Sequence, residues 1–183
     1  MGERIDILAL DLATTTGFAR GAPGSMPVCG FIDFAPHGAS ENAVFGNALT
    51  WLSGYLLVHP RPTSIILEAM LPPEALKGAT SRATRDRLAG LHGIVRSVAH
   101  CRGVYEISTV SVQSVRQHFC GNRLAKKDAV LERCRILGWD VKANHNAADA
   151  AATWHFACSL IDPKLALQVT PLFYGKRPMR ISA

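Results

Sequence analysis

Three acidic residues lie where apolar segments end, far apart along the 183-residue chain. Asp11 follows the run ILAL, Glu68 follows SIIL, and Asp149 lies within the alanine-rich segment HNAADAAATW. A carboxylate at the end of a buried strand is partly desolvated, which is tolerated when a cation, hydrogen bonds or a raised pKa compensates. One such residue would carry little weight. Three of them predict a shared cation site at one end of a sheet.

Length and composition indicate one domain that has a polyanionic partner. The chain is 48% hydrophobic, which is enough for one core, and it is too short for two typical domains. We predict a domain over residues 1–162, followed by a basic, proline-containing extension over residues 163–183. The formal net charge of +6 favours a polyanion such as DNA as a partner.

The sequence also predicts where the protein works. The start lacks the features of a signal peptide, and no segment approaches the roughly 20 apolar residues of a membrane span. The five cysteines are scattered, without a CxxC pair, so neither a disulfide framework nor a zinc cluster is indicated. We therefore expect a soluble, cytoplasmic protein without a membrane partner.

The pattern of apolar residues predicts an α/β fold. Three strands come first, followed by alternating helices and strands. This order indicates a mixed five-stranded sheet, with three antiparallel strands and then parallel strands, flanked by helices on both faces. The predicted strands cover residues 5–10, 18–20, 28–34, 64–67 and 104–110, and the predicted helices cover residues 41–58, 88–98, 112–119, 126–137 and 146–161.

Four motifs carry a resemblance to a known family. DLATTTGFA, IILEAM, VRQxxxGxxxAxK and NAADAAA occur in this order between residues 5 and 160. Together they resemble the RuvC-type Holliday junction resolvases, which are crossover junction endodeoxyribonucleases of the ribonuclease H-like superfamily. The first motif departs from the family's usual DPG opening, because Leu12-Ala13 stands where Pro-Gly is typical.

The resemblance implies a metal site and its ligands. Asp11, Glu68, Asn146 and Asp149 would hold two Mg²⁺ ions, for which Mn²⁺ would substitute, and His145 is a rival ligand because the family carries Asp or His where this chain has Asn146. Asn146 and Asp149 are three residues apart on a predicted helix and project from the same face. Oxygen ligands suit these ions, and a pair of ions supports phosphodiester hydrolysis.

Simpler roles explain each acidic residue separately. Asp11 would close a tight turn, Glu68 would be an exposed charge at the end of a strand, and Asp149 would sit in the first turns of a helix, favoured by the helix dipole. Each of these readings is reasonable alone. They leave unexplained why the three residues coincide with the motifs.

The resemblance also implies which residues contact DNA. Lys127 would act in catalysis beside Asp11, Glu68 and Asp149 by neutralising charge on the phosphate. The alternative for the basic cluster is a solvated helical face. The other predicted DNA contacts are Arg116, Lys126, Arg82 and Arg85, together with Leu71, which stands where family members carry an aromatic that stacks on an unpaired base.

The predicted function is a homodimeric, Mg²⁺-dependent endonuclease that cuts Holliday junctions or other branched DNA by paired symmetric nicks, with no organic cofactor. Dimerisation follows from the need for two cuts on a roughly two-fold substrate, and the helix over residues 88–98 is the candidate contact. Three alternatives stay open. They are a catalytically weak junction-binding protein of the same fold, a ribonuclease H-like nuclease with another substrate, and a phosphotransferase of the actin or hexokinase type.

Overall fold

The computed structural model describes residues 5–70 and 81–165, which form one five-stranded sheet with helices on both faces. The strand order is β3-β2-β1-β4-β5. The strands are β1 (Ile7–Asp11), β2 (Thr15–Gly21), β3 (Val28–Asp33), β4 (Ser64–Glu68) and β5 (Glu106–Val110). The helices are α1 (Glu41–Val58), α2 (Arg82–Cys101), α3 (Val112–Cys120), α4 (Lys127–Ile136) and α5 (His145–Ile161).

The mixed sheet that the sequence predicts is confirmed. β1 pairs antiparallel with β2, and β2 pairs antiparallel with β3. On its other side β1 pairs parallel with β4, and β4 pairs parallel with β5. The central strand β1 is therefore where the antiparallel and parallel halves of the sheet meet.

The two faces of the sheet are covered by different helices. Along β1, Ile7 and Ala9 pack in a core cluster with residues of α3, α4 and α5. Leu8 and Leu10 pack in a second cluster with residues of α1 and α2. Because side chains alternate between faces along a strand, Asp11 falls on the face that α5 covers.

Helix α5 lies very close to the sheet because its inner surface is built of alanine. Small side chains allow the backbone of the helix to approach the strands. The approach is tightest at Gly17 on β2, where an added Cβ would lie 1.9 Å from the carbonyl oxygen of Asn146. Glycine at this position lets the first turn of α5 sit directly on the sheet. The fully buried alanines of α5 are Ala147, Ala148, Ala150 and Ala151.

The largest differences from the predicted bounds concern β2 and α2. The strand predicted over residues 18–20 already begins at Thr15, and Gly17 pairs with both Asp11 and Phe31. The helix predicted over residues 88–98 begins at Arg82, after the Ser81 hydroxyl that caps it, so Arg82 and Arg85 belong to its first turns. Tertiary pairing and a serine cap extended both elements beyond their apolar patterns.

The C-terminal region and the loop after β4 are described only in part. Leu165, just past the predicted domain end at residue 162, is buried in the cluster under α5. Residues 71–80, which include Leu71, lie outside the described residues. Residues 166–183 of the predicted extension lie outside them as well. Within the described ranges, no helix has both the length and the apolar character to cross a membrane.

Candidate metal-binding and nuclease site

Two of the three acidic residues come from neighbouring parallel strands. Leu10 of β1 pairs with Leu67 of β4, so Asp11 and Glu68 each occupy the next position on their strands. Neighbouring strands lie about 4.8 Å apart, so the two residues leave the sheet side by side. Glu68 lies on the same face of the sheet as Ile66, and Asp11 lies on the same face as Ala9. Both Ile66 and Ala9 pack in the cluster under α5. The two carboxylates therefore point to the same side.

Asp149 supplies the third carboxylate from α5. The residue is buried, with 8% of its surface exposed. Its charge raises the pKa of both Asp11 and Glu68, so all three groups interact. The structure thus brings together acidic residues that are separated by 57 and 81 positions in the sequence.

Burial is the main cause of the perturbed acidity at this site. Desolvation, followed by repulsion from Asp149, raises the pKa of Asp11 to about 7. Desolvation, followed by repulsion from Asp11 and then Asp149, raises the pKa of Glu68 to about 7. Desolvation also raises the pKa of Asp149, against the attraction of Lys127 and Arg116. Such a cluster gains most from a nearby cation.

Lys127 provides positive charge at one edge of the acidic cluster. It is the first residue of α4, which packs against α5. Its Nζ lies 3.4 Å from Oδ2 of Asp149 and donates a hydrogen bond of 3.3 Å to Oδ1 of Asn146. The two contacts place Asn146 and Asp149 on the same side of α5, as their spacing predicts.

Arg116, on α3, is the second basic residue at the site. Its charge lowers the pKa of Asp11, Glu68 and Asp149 against the larger effect of burial. Its Nε is buried and has no hydrogen-bond partner among the described residues. The charge of this guanidinium beside the carboxylate cluster favours an anionic group at the site.

The side chains of Asn146 and His145 make different contacts. The Nδ2 of Asn146 donates to the carbonyl oxygen of Thr15 at 2.6 Å, which leaves its Oδ1 toward Lys127. The Nε2 of His145 lies 3.5 Å from Oδ1 of Asp128 on α4. His145 still acts on the site, since its charge lowers the pKa of Asp149.

The donor set fits a hard divalent cation. The carboxylates of Asp11, Glu68 and Asp149 and the amide oxygen of Asn146 are the ligand types that Mg²⁺ and Mn²⁺ prefer. As the side chains stand, residues 5–70 and 81–165 contain no group of three or more His, Cys, Asp or Glu that could hold a metal ion. The described arrangement has Lys127 against Asp149 and Asn146.

The other predicted DNA contacts lie farther out. Lys126 is exposed and precedes α4 as its N-cap residue, without a capping bond from its side chain. Arg82 is exposed and pairs with Asp86 at 3.6 Å, and Arg85 is exposed on the same helix. Leu71 lies outside the described residues, next to Met70, which is half exposed.

Sequence reasoning missed the contacts that hold the turn after Asp11. Arg87 of α2 donates to the hydroxyl of Thr14, and Asn146 donates to the carbonyl of Thr15. The partners are 73 and 131 residues apart. No local pattern signals pairs of this separation, so the sequence offers no way to find them.

A mixed sheet in this strand order, with helices on both faces, has the topology of the ribonuclease H-like fold. Solved structures of other proteins share this fold. Thermus thermophilus RuvC aligns with a TM-score of 0.63 at 16% identity, covering 85% of this chain and 96% of that one. The same protein in complex with a Holliday junction substrate gives 0.67 at 15% identity, covering 86% and 96%.

A eukaryotic structure shares the fold. The yeast mitochondrial Holliday junction resolvase Ydc2 aligns with a TM-score of 0.57 at 13% identity, covering 90% of this chain and 84% of that one. No family model matches the sequence, and no curated protein matches it. The fold that the motifs imply is therefore confirmed by structure, at a level of identity where sequence comparison finds nothing.

Proposed function

We propose that this protein is a metal-dependent, structure-selective endonuclease that hydrolyses phosphodiester bonds of Holliday junctions or other branched DNA. One observation carries the proposal. Asp11, Glu68 and Asp149 meet on one face of the sheet, with Lys127 at their edge, in a fold shared with a RuvC that was solved in complex with a Holliday junction substrate.

Asp11, Glu68 and Asp149 would hold two Mg²⁺ ions, or Mn²⁺ in their place, with Asn146 or His145 completing the set. When bound, such ions activate water and stabilise the leaving oxygen of a phosphodiester. The carboxylates bind the cations in their ionised form. Since the pKa of Asp11 and of Glu68 is about 7, protons compete with the metal in neutral and acidic solution.

The basic residues of the site bind and orient the phosphate. Lys127 would move from Asp149 toward the anionic oxygens when the negative charge of the cluster is taken up by cations. Arg116 would add its positive charge, which already acts on the three carboxylates, beside the same group. Fixed positive charge at the position where negative charge develops lowers the barrier to hydrolysis.

DNA outside the site would be held by exposed basic residues, and two copies of the chain would act together. The exposure and charge of Lys126, Arg82 and Arg85 support the proposal that they contact phosphates. Two symmetric nicks need two sites, so we propose a homodimer. The apolar stripe of α2, over residues 88–98, packs on the protein's own sheet, so a dimer contact through this helix would use its exposed face. The net charge of +6 supports the choice of a polyanionic substrate, and a cytoplasmic location goes with this proposal.

A second candidate function is junction binding with weak cleavage. It is favoured by the neutral side chain of Asn146, whose Nδ2 is already engaged by Thr15. An amide binds a cation more weakly than a carboxylate does. Such a protein would keep the basic surface and the fold but need high Mn²⁺ concentrations to cut.

The decisive assay offers the protein a synthetic four-way junction, a linear duplex and an RNA–DNA hybrid, each with Mg²⁺ or Mn²⁺. Wild type should nick the junction at paired positions, and Asp11→Asn and Glu68→Gln should each lose cleavage while retaining junction binding. The matched control is Asp86→Asn, which removes an exposed carboxylate. Cleavage that survives both substitutions would refute the proposed metal site. Preferential cutting of the hybrid would show that the substrate is an RNA–DNA hybrid and not branched DNA.

Two further experiments separate the remaining alternatives. Asn146→Ala and His145→Ala, compared by the Mn²⁺ concentration needed for half-maximal cleavage, identify the fourth ligand, because loss of a true ligand raises that concentration. Light scattering with and without a junction tests the dimer. A monomer in both conditions would count against paired nicking by two copies.

A further inference from the structure

The turn that follows Asp11 is held from both faces of the sheet. On the α5 face, Asn146 donates to the carbonyl oxygen of Thr15 at 2.6 Å. On the opposite face, Nη1 of Arg87 donates to the hydroxyl oxygen of Thr14 at 3.2 Å. The turn thus connects α5 with α2 across the thickness of the sheet.

Arg87 is itself fixed by a second partner. Its Nε and Nη2 both lie 3.1 Å from Oε1 of Glu41, the first residue of α1. The guanidinium therefore reaches two different partners with separate nitrogens, and a lysine cannot reproduce this geometry. About a third of the Arg87 side chain is exposed, so its energetic contribution is moderated by solvent.

The turn is also held by hydrogen bonds within itself and to the end of β3. The hydroxyl of Thr16 donates to the carbonyl oxygen of Ala13 at 2.8 Å and accepts from the Ala13 amide at 3.1 Å. The carbonyl oxygen of Thr14 accepts from the amide of Phe34 at 2.9 Å. These bonds link Thr14 to the rest of the turn, which Leu12 joins to Asp11.

We propose that Arg87 is a positioning residue for the candidate metal site, which fixes the Asp11 carboxylate by holding the turn through Thr14. The inference rests on the proposed function, because it concerns the metal ligand Asp11. It adds a residue that lies on the other face of the sheet and that the sequence motifs do not contain. It also ties the helix that carries Arg82 and Arg85 to the turn of a metal ligand.

The first test measures the turn directly and needs no activity. Arg87→Met keeps the aliphatic stem and removes the guanidinium, and Thr14→Val removes only the accepting hydroxyl. Hydrogen exchange of the amides in residues 12–16 should quicken by roughly tenfold in each variant, as expected for the loss of one charged hydrogen bond. The control Arg96→Met removes an exposed arginine from the same helix and should leave exchange unchanged.

The second test measures the effect on the site. Binding of Mn²⁺, followed by the paramagnetic resonance of the free ion, should weaken by about three- to tenfold in both single variants. The double variant should be no weaker than either single variant, because both remove the same contact. In junction cleavage, kcat should fall with KM little changed, and Arg87→Lys should restore only part of the loss.

The outcomes distinguish a failure of the proposed nuclease function from a failure of the proposed role of Arg87. If wild type cuts no branched DNA, the proposed function fails, and the exchange measurement still judges the role of Arg87. The inference would be overturned if the amides of residues 12–16 exchanged at the wild-type rate in Arg87→Met and Thr14→Val. Additive weakening of Mn²⁺ binding in the double variant would overturn it too, because independent effects do not arise from one shared contact.

Discussion

Replacing Asp11 by Asn should stabilise the metal-free protein while removing its response to metal. The pKa of Asp11 is about 7, whereas its ordinary value is 3.8. Each pKa unit corresponds to about 1.36 kcal/mol, so the ionised group destabilises the folded state by at most roughly 4 kcal/mol above pH 7. Asparagine also loses hydration on burial, so we expect about half of that gain, roughly 2 kcal/mol.

The sign of the pH dependence follows from the raised pKa. Between about pH 4 and pH 7 the folded state retains a proton on Asp11 that the unfolded state has lost, so wild-type stability falls as the pH rises through this interval and then levels off. Glu68 adds to this slope for the same reason. Asp11→Asn should flatten part of the slope, and its advantage over wild type should be larger at pH 8 than at pH 5.

The measurement is thermal unfolding at pH 5 to 8, with and without Mg²⁺. A gain of roughly 2 kcal/mol corresponds to about 4–8 °C in Tm for a chain of this size. Mg²⁺ at ten times its Kd should add about 1.4 kcal/mol to wild type at pH 8 and almost nothing to Asp11→Asn. The exposed Asp86→Asn control should follow wild type in both respects.

The opposite result would refute this reasoning. If Asp11→Asn were less stable than wild type at pH 8, the Asp11 carboxylate would be satisfied in the metal-free protein. If Mg²⁺ stabilised the variant as strongly as wild type, the ion would bind elsewhere.

Three further predictions concern neighbouring residues. Asn146→Asp places a second carboxylate beside Asp149 and should therefore tighten Mn²⁺ binding in calorimetry. The same change loses the hydrogen bond to Thr15 and should lower the stability of the metal-free protein at pH 8. Unchanged Mn²⁺ affinity would show that position 146 is no ligand. Lys127→Ala should slow junction cleavage by about 10²-fold with little change in junction binding by gel shift; an equal loss of binding would assign it to DNA affinity. Gly17→Ala forces its Cβ to 1.9 Å from the Asn146 carbonyl and should cost about 2 kcal/mol or more in urea unfolding, and wild-type stability would contradict the close approach.

The sequence was informative wherever the signal was local. The apolar runs before Asp11 and Glu68 predicted that both residues end strands, and the i, i+3 spacing predicted that Asn146 and Asp149 face the same way. The bounds of α1, residues 41–58, agree with the structure at both ends. These features depend on the period of strands and helices, which can be read from a few adjacent residues.

The sequence was uninformative wherever distant residues decide the structure. β2 begins earlier than its apolar pattern suggests, since Thr15 and Thr16 pair with β3 and Gly17 pairs with strands on both sides. The position of Lys127 against Asp149 depends on how α4 packs on α5, and the support of Thr14 by Arg87 depends on α2. Such contacts follow from the assembled fold, and no spacing in the sequence specifies them.

The chemistry of Asn146 explains how the site can differ from the usual acidic pattern. An aspartate at this position has no hydrogen to donate, so it would lose the bond to the Thr15 carbonyl and repel that oxygen. Compared with aspartate, the amide lacks one negative charge but holds the turn by its bond to Thr15, and its Oδ1 still accepts a hydrogen bond from Lys127. In the metal-free protein, a fourth negative charge would add to the repulsion among carboxylates that are already hard to ionise, whereas the amide fixes the turn. In the proposed site, Asp11, Glu68 and Asp149 therefore carry the negative charge, and Asn146 holds the turn after Asp11 while its Oδ1 stays available as a weaker donor to a cation.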